Sequence, residues 1–247
     1  MKCWICGADA LSREHRTKAS DIRALFGDVS QHAPLYLHIG DRKNIKIQSV
    51  NSDKLKFEKR LCSTCNNART QPHDMAWQKL SEHLRSRKPP TVPGTVINLG
   101  KVFPGEVSKS MLYVHLYFLK VFGCLASDSD APLPVSEFGE SILKSQAHPH
   151  VHIAFAMQLV PPLRKATAIT PIPAMIVEQS GHKPVVAYAS WIYHVNGMNA
   201  VILYAHPNEP EPPGLTSYWH PSTVTKHLRM VGIEALMQKG MFGLAAA

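Results

Sequence analysis

The sequence predicts an α+β protein with two parts, a cysteine-stapled N-terminal module and a mixed α/β domain with antiparallel strands. Four of the five cysteines form two Cys-x-x-Cys pairs in the first 65 residues. After residue 150, apolar side chains alternate with polar or small ones at the period of a β-strand. With 247 residues, 45% of them hydrophobic, the chain can bury a full core. The cysteines are therefore expected to staple one region locally.

The two cysteine pairs predict a structural zinc ion. A tight Cys-x-x-Cys turn presents two sulfurs to one side, and two such turns complete a tetrahedral site. The predicted ligands are Cys3, Cys6, Cys62 and Cys65. The fifth cysteine, Cys124, lies in an apolar run and is expected in the core. Reduced thiols and the lack of an export signal before Cys3 indicate a reducing, cytoplasmic setting.

Basic side chains are concentrated in the first ninety residues and predict a polyanion partner. The formal charge is +9, from 27 Lys+Arg against 18 Asp+Glu. DNA is the expected partner, and RNA suits the same chemistry. The candidate phosphate contacts are Arg13, Arg16, Lys18, Lys59, Arg60 and Arg69. No membrane partner is expected, because the longest apolar stretch, residues 111–126, is short and contains His115 and Lys120. The sequence does not indicate an oligomeric state.

A proline-rich segment, residues 88–94, is predicted to link two domains, residues 1–87 and 95–247. All the recognisable chemistry precedes this segment, so the second domain is predicted as a fold without an assigned role.

Short strands and a helix are predicted in the first domain. Alternating apolar residues indicate strands at 35–39, 45–47 and 55–57. A helix is expected to begin at residues 66–70, break near Pro72, and continue to about residue 87. The residues predicted to share its buried face are His73, Trp77, Leu80 and Leu84.

In the second domain, residues 111–121 predict a helix and residues 151–159 a strand with one buried face. Residues 185–205 predict a hairpin that turns at Asn196-Gly197. A last helix is expected to start near Ser222 and to run past residue 228. Three alternating histidines are interpreted as an exposed polar face, with a metal-binding comb as the alternative: His148, His150 and His152.

Three short motifs together resemble the HNH nucleases with a ββα-metal fold, in the subset that carries an additional four-cysteine zinc. They are Cys3-x-x-Cys6, Glu14-His15 and Leu61-Cys62-x-x-Cys65-Asn66-Asn67, and the resemblance covers residues 1 to about 87. It implies that His15 is the general base and that Glu14 with Asn66 holds a catalytic Mg²⁺ or Mn²⁺. The implied reaction is metal-dependent hydrolysis of DNA that leaves 5′-phosphate and 3′-hydroxyl ends.

The residue types suit this chemistry. A neutral imidazole can take a proton from water near pH 7, and a carboxylate with an amide oxygen suits a hard cation. Asn66 is also a good helix N-cap. Asn67 could instead be the ligand or orient His15. His73 and Asp74 are a third possibility further along the helix.

Two non-enzymatic functions remain as alternatives. The same cysteines and basic residues would suffice for a zinc-ribbon protein that binds nucleic acid without cleaving it. A protein-interaction scaffold with a structural zinc would need no nucleic-acid contact.

Overall fold

A mostly antiparallel sheet with a long helix on one face forms the centre of the molecule. The computed structural model describes residues 1–39, 41–58, 61–158, 166–169, 174–177, 185–211, 214–223 and 225–239. The helices are α1 (Ala19–Phe26), α2 (Gln71–Ser86), α3 (Leu99–Val102), α4 (Val107–Asp128), α5 (Val135–Lys144) and α6 (Ile233–Lys239). The strands are β1 (Leu35–Ile39), β2 (Arg42–Ile47), β3 (Val96–Asn98), β4 (Val151–Met157), β5 (Thr167–Ile169), β6 (Ala174–Val177), β7 (Val185–Val195), β8 (Met198–Ala205), β9 (His227–Arg229) and β10 (Val231–Gly232).

The N-terminal region holds the predicted strands β1 and β2 and the predicted long helix α2, but the strand expected at 55–57 is wrong, because residues 53–55 form a 3₁₀ turn. β1 and β2 pair antiparallel, with Leu35 opposite Ile47. A π-helical turn, Cys65–Arg69, leads from the second cysteine pair into α2. Pro72 is the second residue of α2, where its missing N–H would have no helical partner. The predicted face of α2 is confirmed, because His73, Trp77, Leu80 and Leu84 are all buried.

Six strands form the large sheet, in the order β10-β4-β8-β7-β5, with β6 also paired to β7. Among the described strands, only β10 and β4 pair in parallel. The predicted β7–β8 hairpin is confirmed, and Asn196 and Gly197 at its turn have φ values of 48° and 87°. Positive φ at both positions is the requirement of the tight turn that follows the twist of the strands, and Asn-Gly meets it at little cost.

Helix α4 is the central core helix and extends beyond the predicted residues 111–121 at both ends. By length and composition alone it could cross a membrane, but 78% of its most apolar window is buried inside the protein. Its Phe118 contacts Trp77 of α2 and Phe155 of β4, with ring centroids 4.7 Å and 6.0 Å apart. One hydrophobic core therefore includes residues from both sides of the proline-rich segment. The domain division at 88–94 itself stays a prediction.

Two predictions about the C-terminal half were wrong. Strand β4 is buried on both faces, because Ala154 and Ala156 pack on the side of the sheet that also holds Leu236 of α6. The expected helix from Ser222 past residue 228 is a short 3₁₀ turn followed by β9, which pairs with β3. Long-range pairing thus decides the structure of residues 227–229. Leu159 lies outside the described residues.

A buried carboxylate joins α1 to α2 and to the large sheet. Asp21 is fully buried and accepts hydrogen bonds from Trp77 Nε1 (2.9 Å), Ser81 Oγ (3.1 Å) and Tyr193 OH (2.8 Å). Arg85 adds an ion pair at 2.6 Å. A buried charge is tolerated only with this degree of pairing.

We expect Asp21→Asn to lower the free energy of unfolding by about 2–4 kcal/mol, because it leaves Arg85 without its partner and weakens several buried hydrogen bonds. Urea unfolding monitored by tryptophan fluorescence measures this change. Asp28→Asn, an exposed acid just after α1, is the control and should change it by less than about 0.5 kcal/mol. Equal effects of the two variants would contradict the role given to Asp21.

Candidate metal centre and active site

The four predicted zinc ligands converge on one point. The Sγ atoms of Cys3, Cys6, Cys62 and Cys65 all lie within 4.8 Å of one another, and those of Cys6 and Cys62 are 3.6 Å apart. Tetrahedral zinc with Zn–S bonds of about 2.3 Å needs sulfurs about 3.8 Å apart. The cluster is therefore compatible with a structural zinc ion. Cys124 is buried outside the cluster, as expected, and its Sγ accepts a hydrogen bond from Trp4.

Several hydrogen-bond donors contact the sulfurs of this cluster. The Cys65 N–H donates to Cys62 Sγ at 3.3 Å, and Arg69 donates to Cys65 Sγ at 2.9 Å. A backbone hydrogen bond from Ala8 lowers the pKa of Cys6 to about 7. Arg69, predicted as a phosphate contact, thus supports the cysteine cluster from the end of the π-helical turn that precedes α2.

The Glu14-His15 dipeptide lies on an extended segment that pairs with the chain just before the second cysteine pair. Ser12 is opposite Leu61, and His15 is opposite Lys56. The Phe57 N–H donates to the Glu14 carbonyl at 2.9 Å. The order along the chain is therefore extended segment, extended segment and helix, with the hairpin β1–β2 and helix α1 inserted between the first two.

Asn66 connects the helical turn to the segment that carries the dipeptide. Its Nδ2 donates to Ser12 Oγ at 2.7 Å and to the Arg13 carbonyl at 3.1 Å. Its Oδ1 is buried and has no hydrogen-bond partner. Asn67 is exposed, and its Nδ2 donates back to the Ser63 carbonyl at 3.0 Å. Of the two asparagines, Asn66 is the one that reaches the candidate site.

His15 is held as a neutral imidazole with one free nitrogen. Its Nε2 lies 3.1 Å from the Val50 carbonyl, which can only accept, so Nε2 carries the proton and Nδ1 is left basic. Burial lowers the pKa of His15, and the positive charges of Lys56, Arg23 and Lys18 lower it further, against the opposing effect of the Val50 hydrogen bond. The ring is therefore neutral near pH 7.

Glu14 is paired with a buried lysine. Lys120 of α4 is fully buried, and its Nζ lies 2.8 Å from Glu14 Oε2 and 3.1 Å from both Asp74 carboxylate oxygens. Thr70 Oγ1 completes the shell at 3.3 Å. Burial alone would lower the pKa of Lys120, but the two carboxylates raise it above its usual value. The lysine is therefore a permanent cation within this acidic cluster.

This arrangement does not fit a divalent cation held by Glu14 and Asn66, or by Asp74. The Lys120 ammonium takes the position between the carboxylates that a metal ion would need, and Lys18 Nζ lies 3.7 Å from Asp74. Asn66 presents its amide nitrogen to the neighbouring segment. Lys120 was not among the predicted site residues, although a lysine in the middle of an apolar helix needs a buried acidic partner.

The other predicted residues are distributed around this centre. His73 is buried against Tyr113, with ring centroids 5.3 Å apart, and burial, followed by the charge of Lys120, lowers its pKa to about 4. Arg13 lies 3.9 Å from Asp53, and Arg16 lies 3.2 Å from Asp128. Lys59 and Arg60 lie outside the described residues.

The alternating histidines form neither the expected exposed polar face nor a metal-binding comb, because His148 is buried and His150 and His152 are half-buried. Only His152 belongs to β4, because the strand begins at Val151. His152 and the buried His115 each contact His220, with ring centroids 5.2 Å and 5.5 Å apart. His148 is buried beside them and donates its backbone N–H to His115 Nε2. In the described part of the chain, the cysteine cluster is the only group of three or more metal-ligating side chains close enough to hold one ion.

Comparison of the chain with protein-family models, with curated proteins and with solved structures finds no match. The assignment of function therefore depends on the residues and geometry described above.

We expect the purified protein to carry one zinc ion per chain, and Cys65→Ser to reduce that content sharply and to lower the melting temperature. Elemental analysis combined with thermal unfolding measures both. Cys124→Ser is the matched control, because it removes a buried cysteine outside the cluster and should leave the zinc content unchanged. Equal zinc content in the two variants would contradict the four-cysteine site.

We expect the folded protein to lose stability in acid through its buried histidines. Burial lowers the pKa of His148 and His152 to about 4 each, and that of His115 falls well below its usual value. The unfolded chain takes up these protons below about pH 6.5, whereas the folded chain does not. The stabilisation is therefore complete above that pH and is lost as the pH falls towards 4.

Urea unfolding measured at several pH values between 7.5 and 4.5 tests this expectation. Each fully buried histidine should contribute up to about 1.4 kcal/mol per pH unit. His148→Gln should flatten the pH dependence, and His32→Gln, which changes an exposed histidine, should not. A stability that is constant over this range would show that the cluster accepts protons in the folded state.

Proposed function

We propose that the protein binds DNA and hydrolyses its phosphodiester bonds, with His15 as the general base. The observation that supports this most is the placement of His15 on an extended segment that Asn66 ties to the helix after the second cysteine pair. Two extended segments followed by a helix are the order that the ββα-metal fold requires. The proposed zinc is structural, since its four ligands are all cysteines.

The proposed reaction uses the free nitrogen of His15. His15 Nδ1 takes a proton from a water molecule, and the water oxygen attacks phosphorus. The P–O3′ bond breaks, the 3′ oxygen takes a proton from solvent, and the products carry 5′-phosphate and 3′-hydroxyl ends. The Val50 carbonyl fixes the ring through Nε2. Lys56, on the strand position opposite His15, supplies positive charge for the phosphorane.

A divalent cation is not assigned a role in these steps. Mg²⁺ or Mn²⁺ would supply charge stabilisation at the phosphate, but its proposed ligands Glu14 and Asp74 are paired with Lys120. The requirement for Mg²⁺ or Mn²⁺ is therefore the first variable of the experiment.

The ion pair also favours a second candidate, a zinc-stapled protein that binds DNA without cleaving it. With Glu14 neutralised by Lys120 at 2.8 Å, the acidic residue of the dipeptide contributes to stability and is not free for catalysis. The basic residues and the zinc centre would then suffice for the function. Such a protein should bind DNA in a salt-dependent manner and leave it intact.

We expect His15→Ala to reduce cleavage by about 10²–10⁴-fold while zinc content and folding are retained. Supercoiled plasmid and circular single-stranded DNA are each incubated with Mg²⁺, with Mn²⁺ or with EDTA, and zinc is measured in every arm. Because the pKa of His15 is lowered, the rate should fall in acid only below about pH 6.5.

His32→Ala is the matched control, since it removes an exposed histidine far from the dipeptide in sequence. Cleavage that is unchanged in His15→Ala would refute the nuclease mechanism. Intact DNA with every protein, together with salt-sensitive binding, would establish the binding protein instead. If the protein neither cleaves nor binds DNA, a protein-interaction scaffold with a structural zinc is the remaining candidate function.

A further inference from the structure

A basic groove of about 700 Å³ lies between the hairpin β1–β2, the N-terminal residues and residues 53–58. Five basic side chains and two acidic ones line it, so the groove is electropositive. The basic residues are Arg13, Arg16, Arg42, Lys54 and Lys56. Arg42 was not among the phosphate contacts predicted from the sequence, because its position on the hairpin tip only becomes relevant once the chain is folded.

The groove leads to the candidate site. Lys56 lines it and is opposite His15 in an antiparallel bridge. Side chains at opposite positions of such a pair point to the same face. His15 does not line the groove itself, but a ligand that contacts Lys56 would lie on the same side of the bridge as the imidazole.

The basic residues of the groove fall into two groups. Arg16 is held in place, because its Nε donates to the Lys56 carbonyl at 3.1 Å and its guanidinium stacks on Phe57 at 4.8 Å. Lys56 lies 3.2 Å from Asp53. Arg42 and Lys54 are exposed, and no carboxylate of the described residues lies within 4.0 Å of either charged group. These two cations are therefore free to contact a phosphate.

Part of the lining of the groove is apolar. Ile39 and Ile45 line it from the hairpin, and Ile39 is 38% exposed. A duplex keeps its base faces stacked inside and presents phosphates and sugars outward, so it would not bring base faces to these side chains. A single strand offers phosphates to the basic residues and the faces of unstacked bases to the two isoleucines, and this contact would remove both from water.

We propose that this groove binds single-stranded DNA, with Arg42 and Lys54 contacting phosphates and with bases packed on Ile39 and Ile45. The inference rests on the proposed function, because it identifies the form of DNA that reaches His15.

Fluorescence anisotropy with the full-length, zinc-loaded His15→Ala protein tests this proposal without interference from cleavage. The probes are a short labelled single strand, the matching duplex, and a strand of the same length in which every base is replaced by an abasic sugar. We expect tightest binding to the intact single strand. The abasic strand has the same phosphates, so the difference between the two strands reports the base contacts.

Substitutions separate the two kinds of contact. Arg42→Ala and Lys54→Ala should each reduce the salt dependence of single-strand binding, the slope of log K against log salt, by about 0.7. Lys43→Ala is the matched control, because it removes one charge from the neighbouring exposed residue that does not line the groove. Ile39→Ser should weaken binding of the intact strand and leave that of the abasic strand unchanged.

Three results would contradict a single-strand site in the groove. They are an equal loss of affinity in Arg42→Ala and Lys43→Ala, tighter binding of the duplex than of the single strand, and no binding of any probe. Circular dichroism and zinc content confirm that each variant is folded. If the probes bind as predicted but the protein that retains His15 does not cleave DNA, the groove is a single-strand site of a binding protein and the nuclease proposal is wrong. If the groove substitutions leave cleavage unchanged, the nuclease proposal stands and the proposed role of the groove is wrong.

Discussion

The buried ammonium of Lys120 connects the three segments from which the candidate site is built. Glu14 comes from the extended segment after the first cysteine pair, Asp74 from α2, and Lys120 from the core helix α4. Removing one partner from such a cluster leaves uncompensated buried charge, at a cost of about 3–5 kcal/mol. The position of the Glu14-His15 segment therefore depends on a residue that lies beyond the proline-rich segment.

This dependence changes how the two parts of the chain are understood. The chemistry-bearing motifs all precede residue 88, but α4 supplies Lys120, and the large sheet supplies Tyr193, whose hydroxyl contacts Asp21. The four cysteines, with the proposed zinc ion, would hold two turns together. The buried contacts of Lys120 fix α2 against α4, and those of Asp21 fix α2 against α1 and the large sheet, because each requires specific partners at hydrogen-bond distance.

Local patterns predicted three local features correctly. The cysteine spacing gave the cluster, the spacing of His73, Trp77, Leu80 and Leu84 gave the buried face of α2, and Asn196-Gly197 gave the hairpin turn. The Lys120 cluster could not be found in this way, since its members are 46 and 106 residues apart from Lys120 in sequence. Likewise, residues 227–229 form a strand only because β3 is present to pair with them. Periodicity reports one segment at a time, whereas these features depend on partners elsewhere in the chain.

The charges at the two sides of the dipeptide explain why binding and cleavage have to be tested separately. On one side, Lys120 neutralises Glu14 inside the core. On the other, His15 is neutral, and the nearby charges of Lys56 and Arg23 are positive. An anionic strand would be attracted to this second side whether or not it is cleaved. Catalysis requires in addition that His15 Nδ1 reaches a water molecule in line with the phosphate, a condition that the charges alone do not impose.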